Sequence, residues 1–423
     1  MQTIPNINTA FKDPFLELEV KCLNLQEQIE AWFSHKWKQH RVPFYGSVDL
    51  RNSGFKLAPV DMNLYPGGFN NLNPEFEALA VNAIKAFLDT NYPNCKNILL
   101  IPENHTRNLP YLSNVYALQK VFKHAGVTLE LGLSLTDTPD QIVVETSEKF
   151  ELTYNRLIRD GKHIKTVSGF VPDLIILNND LTSGIPEILK GIDQAIVPPL
   201  NAGWYMRKKT NFFSQYDLVC EEFANLIGID PWLINPYFCT AQVDFENKIG
   251  LDELANKVDS ILNKIKLKYS AQNISQAPYV IVKANNGTYG RGIMVVKSAQ
   301  EILEINRKSR NKMAVIKEGV GVDEVIIQEG VHTFEEVGGH AAEPVIYMLN
   351  TCVIGGFYRV HPERGISENL NAPGANFTPL QFSCPSHADP KHKPDCQINR
   401  FYTYGVIARL SLLASSYELD KFV

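Results

Sequence analysis

The chain has 423 residues, room for roughly two or three domains, and its 44% hydrophobic content is ample for sizeable cores. Its 41 basic residues against 46 acidic ones leave a net charge of −5, which gives no electrostatic reason to expect nucleic acid or an anionic membrane as partner. No apolar stretch is long enough to span a bilayer, and the opening MQTIPNINTAF lacks the basic-then-apolar order of a signal peptide, so the expected location is the cytoplasm.

In chain order, residues 15–37 carry Leu16, Val20, Leu23, Ile29, Phe33 and Trp37 at near-helical spacing and predict an amphipathic helix. Residues 51–71 are rich in Asn, Gly and Pro and read as a long segment without regular structure, which at that length is more often a site than an idle surface loop. Asn73-Pro74 is a cap followed by a proline at the first helical position, opening a helix to about residue 88. Strand-like runs follow at 97–101, 127–131, 142–145 and 173–177, with a helix at 111–124. Asp160-Gly161 marks a hairpin turn. Residues 1–205 are thus expected to form an α/β domain with an open sheet.

Beyond residue 205 the pattern changes. Helices are expected at 213–226, 251–268 and 299–307, and strands at 279–282, 293–296, 324–328, 344–349 and 351–358. Strands adjacent without helical crossovers argue for antiparallel pairing and an α+β module, divided here into residues 206–332 and 333–423.

The segment 279–297, YVIVKANNGTYGRGIMVVK, holds two short β-branched runs joined by a glycine-rich loop. Gly287, Gly290 and Gly292 allow close backbone approach to a polyphosphate, and Lys283 and Arg291 add charge-assisted contacts to its oxygens. The same pattern also fits a plain hairpin with Lys283 reaching solvent. A P-loop and a Rossmann fingerprint are both excluded, because no Gly-Lys-Ser/Thr follows and the next element is a strand.

The seven cysteines are scattered, without a Cys-x-x-Cys, which suits reduced thiols. Cys384, His387, His392 and Cys396 are all legitimate zinc ligands, but their inner spacing is short and their surroundings rich in Pro, Lys and Asp, so an exposed loop is preferred.

Downstream, Gln328, Glu329, Gly330 and Val331 end a strand as a suitable edge for adenine. Arg359 ends another strand, and Glu343, Glu368, Asn369 and Asn371 offer the oxygen ligands that Mg²⁺ prefers. Each has a plain reading as edge strand, surface arginine or Asn-rich turn. Their order resembles the ATP-grasp superfamily. The resemblance implies ATP and Mg²⁺ as cofactors, Lys283 on the phosphates, residues 287–292 as a flap, Gln328 to Val331 as adenine hinge, and Arg359 on the transferring phosphoryl group. Lys208 or Lys209 is implied as the second nucleotide lysine. The chain departs from the superfamily's Glu-x-Asn, carrying Asn369-Leu370-Asn371 with Glu368 one position early, so Glu368 or Glu343 has to supply the charge.

The segments 43–72, PFYGSVDLRNSGFKLAPVDMNLYPGGFNNL, 101–115, IPENHTRNLPYLSNV, and 368–380, ENLNAPGANFTPL, are similar to the proteobacterial ATP-grasp-type glutamate-cysteine ligase family. That similarity implies joining of L-glutamate to L-cysteine, both small-molecule substrates, with ATP. The alternatives are another carboxylate-amine ligase of glutathione-synthetase type, or a nucleotide-binding regulator without catalysis. Glutamate needs cations, neutral donors and an acid, a mixture that Arg51, Asn52, Lys56, Asp61 and Asn63 offer, with Arg107 and Asn108 adding to it. Glu103 and His105 are either substrate contacts or a loop pair.

Overall fold

The computed structural model describes residues 15–421 except 106, 136–137, 287–291, 315–320 and 381–399. Among the described residues the strands form three sheets. The fold is mixed α/β, and the three sheets meet around one cavity.

The central sheet is antiparallel. His340–Leu349 pairs with Tyr45–Asn52 on one side and Cys352–Val360 on the other, setting Val345 opposite Asp49 and Glu343 opposite Arg359. Leu57–Asn63 and Asn376–Pro379 form its edges, and Glu336–Val337 adds to His340–Leu349. This sheet therefore joins strands from both sides of the expected boundary at 205. The first part of the 51–71 segment, read as irregular, is a hairpin of the sheet: Asn, Gly and Pro punctuation hides the alternation of Val48, Leu50, Leu57 and Met62, which are all buried.

Alternation explains how one sheet serves both core and cavity. Val48, Leu50, Ile346, Met348 and Tyr358 enter the main hydrophobic core, while Ser47, Asp49, Arg51, Glu343, Val345, Tyr347, Phe357 and Arg359, one residue out of phase, line the cavity.

A second antiparallel sheet runs in the order Phe238–Gln242, Glu324–Glu329, Val280–Ala284, Ile293–Val296. The expected strand, loop, strand feature is thus a hairpin, with Lys283 opposite Ile293. The third sheet has parallel strands at its centre, Glu151–Asp160, Thr128–Leu133, Asn97–Pro102, Leu174–Asn178 and Ala195–Val197. Antiparallel strands Gln141–Glu145 and His163–Thr166 flank it, and the turn at Asp160-Gly161 forms as expected.

Helices follow their apolar faces, with three departures from expectation. The stretch 15–37 is two helices, Phe15–Asn24 and Gln26–Trp37. The stretch 299–307 breaks into Ala299–Leu303 and Arg307–Met313, where Asn306 accepts from Ser309 N at 2.9 Å and caps the second helix. An unexpected helix, Arg400–Asp420, is buried nearly all round against the helix Lys209–Ile227 and the central sheet. Its charges are paired: Glu418 accepts from Arg207 at 2.9 Å, and Arg409 donates to Glu30 at 2.7 Å. Among the described residues no helix is long and apolar enough to cross a membrane.

Candidate active site

The cavity, of about 680 Å³, opens between the central and second sheets and reaches the third. Most sequence-expected residues line it: Arg51, Asp61, Asn63, Asn108, Lys209, Lys283, Gln328, Glu329, Val331, Glu343, Arg359, Glu368, Asn369 and Asn371. Segments as distant as Asn63 and Asn371 meet there.

The second sheet contributes Lys283, whose ammonium donates to Val60 O at 2.6 Å. Burial pulls its pKa from the ordinary 10.5 to about 8, only partly offset by Asp61. A buried ammonium of this kind is a strong attractor for an anion. Beside it Lys209 donates to both Asp61 oxygens, at 2.9 and 3.2 Å, and lies 4.3 Å over the Trp204 ring. Burial pushes the Asp61 carboxyl up, but Lys209 and Lys283 outweigh it and hold it below the usual carboxylate range. Lys208, the neighbouring candidate, is instead half exposed and donates to Glu324 at 2.8 Å.

The central sheet contributes a buried charge network. Arg359 donates to Asp49 and Glu343, each at 2.7 Å, and Arg51 donates to the other Glu343 oxygen at 2.9 Å. Burial raises the Asp49 carboxyl despite Arg359. Burial acts the same way on Glu343, but Arg51 and Arg359 more than reverse it, keeping that carboxyl low. Arg51 also donates to the carbonyls of Val331, Ile366 and Glu368, tying the segment that follows the strand Glu324–Glu329 to the loop before Asn369.

Among the lining side chains with buried donors that meet no acceptor among the described residues are Gln328, through Nε2, and Arg359, through Nε. A bound adenine and a bound phosphoryl oxygen are acceptors of the right kind, so the set fits a nucleotide. For a divalent cation the lining offers hard oxygen donors in Glu343, Glu368, Asn369 and Asn371. Among the described residues no three His, Cys, Asp or Glu converge as a metal site. Mg²⁺ is usually held by one or two protein groups plus phosphate oxygens.

Other expected residues lie elsewhere. Asn52 is buried against Glu335 and Tyr404, donating to them at 3.2 and 3.3 Å. Lys56 is fully buried, donating to Glu329 at 2.9 Å and lying 4.4 Å over Trp232. Neither lines the cavity. Both were expected from composition alone, which does not say which face of a strand a residue occupies. Arg107 sits with Asn104, His105 and Asn108 at a separate shallow depression. His105 approaches Glu103 at 3.6 Å, so those two form the loop pair, and Glu103 also lines the cavity. Gly292 has φ of 64°, a conformation that favours glycine, but neither it nor Gly330 is in the lining. Gly287, Gly290, Arg291 and the four possible zinc ligands Cys384, His387, His392 and Cys396 lie outside the described residues.

The structure adds Asp49, Trp204, Asn178, Asp180 and Tyr347 to the lining. The alternation Ser47-Val48-Asp49-Leu50-Arg51 held a signal for Asp49. The others carried none, because each depends on where its strand or turn ends in space.

The family model GshA, described as glutamate-cysteine ligase, matches residues 19–419. The chain belongs to the glutamate-cysteine ligase family. A solved protein from Methylobacillus flagellatus KT, provisionally named a gamma-glutamylcysteine synthetase, is 50% identical over 100% of both chains with a TM-score of 0.91. A D-alanyl-alanine synthetase A from Vibrio cholerae O1 biovar eltor str. N16961 is 11% identical, covering 75% of this chain and 81% of its own, with a TM-score of 0.33. No curated protein matches. As a member of the glutamate-cysteine ligase family the chain is a ligase, and its cavity is where that chemistry is to be sought.

Proposed function

We propose that the chain joins the γ-carboxylate of L-glutamate to the amine of L-cysteine at the cost of ATP, through an acyl phosphate. The products are γ-glutamylcysteine, ADP and phosphate, the first step of glutathione synthesis, and the reaction belongs in the cytoplasm. The frame is of ATP-grasp type, with the second sheet within residues 206–332 as lid and the central sheet, which ends in 333–423, as base. The observation that carries the reading is a single cavity in which the desolvated Lys283 on one sheet shares a lining with the Arg359, Glu343, Asp49 and Arg51 network on another.

ATP supplies the phosphoryl group and Mg²⁺ neutralises phosphate charge when bound, with Glu343, Glu368, Asn369 and Asn371 as the cation's side of the site. Lys283 and Lys209 hold phosphate oxygens by charge-assisted hydrogen bonds. The buried Nε2 of Gln328 reads the base. Arg359, fixed on two carboxylates, keeps its remaining Nε donor preorganised for negative charge that develops as the phosphoryl group moves. Water exclusion by the enclosing sheets protects the acyl phosphate until the amine attacks its carbonyl carbon and phosphate leaves.

A coupled ADP assay tests this. ADP release should require both L-glutamate and L-cysteine and a divalent cation, should stop with chelator, and should resume on adding Mg²⁺. Release with γ-glutamylcysteine and glycine in their place would instead identify a glutathione-synthetase type of ligase.

A further inference from the structure

The third sheet changes direction beside the cavity. From Asn97–Pro102 the chain passes through the helix Leu109–His124 to Thr128–Leu133 on one side, and later returns as Leu174–Asn178 on the other. The crevice beyond the carboxyl ends of two such strands is where open α/β sheets hold ligands. Glu103 follows the first strand directly and Asp180 lies two residues past the second, and both line the cavity.

The two acids are locked into one unit. Glu103 Oε1 accepts from Asp180 N at 3.1 Å, and Asp180 Oδ1 accepts from Thr182 N and Oγ1 at 3.0 and 2.7 Å. Trp204 N donates to Asp180 O at 2.9 Å, bringing the indole to the same place. Trp204 is only 4% exposed and lines the cavity, yet its ring N–H meets no acceptor among the described residues. A buried indole N–H normally finds a partner, so this one points to a ligand acceptor. Lys209, stacked on that ring, adds positive charge.

We propose that Glu103, Asp180 and Trp204 form the subsite for the α-amino-acid head of the acid substrate. The carboxylates take its ammonium, and the indole N–H takes its α-carboxylate. This rests on the ligase reading above and deepens it. An ammonium between two carboxylates stays protonated and is a poor nucleophile, so the subsite suits the amino acid whose amine does not react. Pinning the head here sends the side-chain carboxylate toward Lys283 and Arg359, which accounts for a γ-linked rather than α-linked product. The three residues are recognition groups that touch the substrate away from the reacting atoms.

The test compares wild type, Asp180→Asn, Glu103→Gln and the milder Trp204→Phe in the ADP assay, varying each substrate in turn and replacing L-glutamate with glutarate, which keeps both carboxylates and lacks only the ammonium. Losing one charge-assisted contact should raise KM for glutamate by about tenfold or more in each variant, with KM for ATP and cysteine within about twofold. The preference for glutamate over glutarate should narrow by a similar factor in Asp180→Asn and Glu103→Gln and stay unchanged in Trp204→Phe, whose lost contact glutarate also makes. A rise in KM for cysteine alone, or a glutamate KM within about twofold of wild type in all three variants, overturns the inference while leaving the ligase reading intact. A wild type that releases no ADP with glutamate and cysteine overturns both.

Discussion

Glu343 accepts from two arginines on different strands, Arg51 Nε at 2.9 Å and Arg359 Nη1 at 2.7 Å. One buried carboxylate therefore fixes both Arg359 and the guanidinium that donates to the carbonyl of Val331. Such a network is worth little to stability against an apolar replacement, but breaking it is costly, because the remaining charges stay buried. Its effect is geometric: it holds Arg359 in one orientation in the cavity lining.

Arg359→Lys keeps the charge and loses the planar fork, so one ammonium has to serve both Asp49 and Glu343. The expected outcome is a fall in kcat of about 10²–10³-fold, the scale for losing a preorganised donor, with KM for glutamate changed far less. Steady-state ADP release measures both, and an unchanged kcat would remove Arg359 from the reaction.

Lys283 predicts a pH effect of definite sign. With a pKa of about 8 in the folded protein, it is charged below that pH and loses its proton as pH rises through it. Apparent ATP affinity should therefore weaken above about pH 8, and Lys283→Arg should flatten that limb. Stability moves the other way. The unfolded lysine, near 10.5, binds more protons than the folded one between about pH 8 and 10.5, so its penalty is full below pH 8 and is relieved across that window. Urea melts of wild type and Lys283→Met should show the variant's advantage at pH 7 shrinking toward pH 10.

Lys56 tests a structural role. Its ammonium meets Glu329, which also accepts from Trp232 Nε1 at 3.0 Å and Tyr237 N at 2.9 Å. Lys56→Met leaves that carboxylate buried without its cation and should cost about 3–5 kcal/mol of stability. Chemical denaturation gives this directly. A large rise in KM for glutamate at normal stability would return Lys56 to the substrate contacts.

Gly330 is required for space. A Cβ there would lie 2.2 Å from the Tyr279 ring, whose hydroxyl donates to Val331 O at 2.8 Å and accepts from Arg51 at 3.4 Å. Gly330→Ala should cost about 1–3 kcal/mol through displacement of Tyr279. It should also weaken ATP binding, read by nucleotide titration, because the hinge moves with that ring.

Motif order in the sequence was enough to bring Lys283, Gln328, Arg359 and Asn371 to one site, because each ends or follows a strand whose apolar run is legible locally. The same local logic found the strands near 97–101, 127–131, 142–145 and 173–177 and the glycine-rich hairpin, though not the strand Glu151–Asp160. It failed for the hairpin of Tyr45–Asn52 and Leu57–Asn63, whose polar residues face a cavity and so erase the hydrophobic signal of a strand. It also missed the helix Arg400–Asp420, whose Arg409 and Glu418 look solvated until Glu30 and Arg207 are seen beside them.

What the sequence determined by itself was the chemistry available: a lysine on a glycine-rich hairpin, an arginine at a strand end, oxygen donors near an Asn-rich turn. Only the tertiary structure decided which face each residue occupies. It set Lys56 and Asn52 behind the wall, put Asp49 and Glu343 on one arginine, and carried Asp180 and Trp204 into the cavity lining. The physical reason is that a strand's alternation divides residues between two faces, while the identity of the faces depends on pairing partners more than two hundred residues away, as Asp49 with Val345.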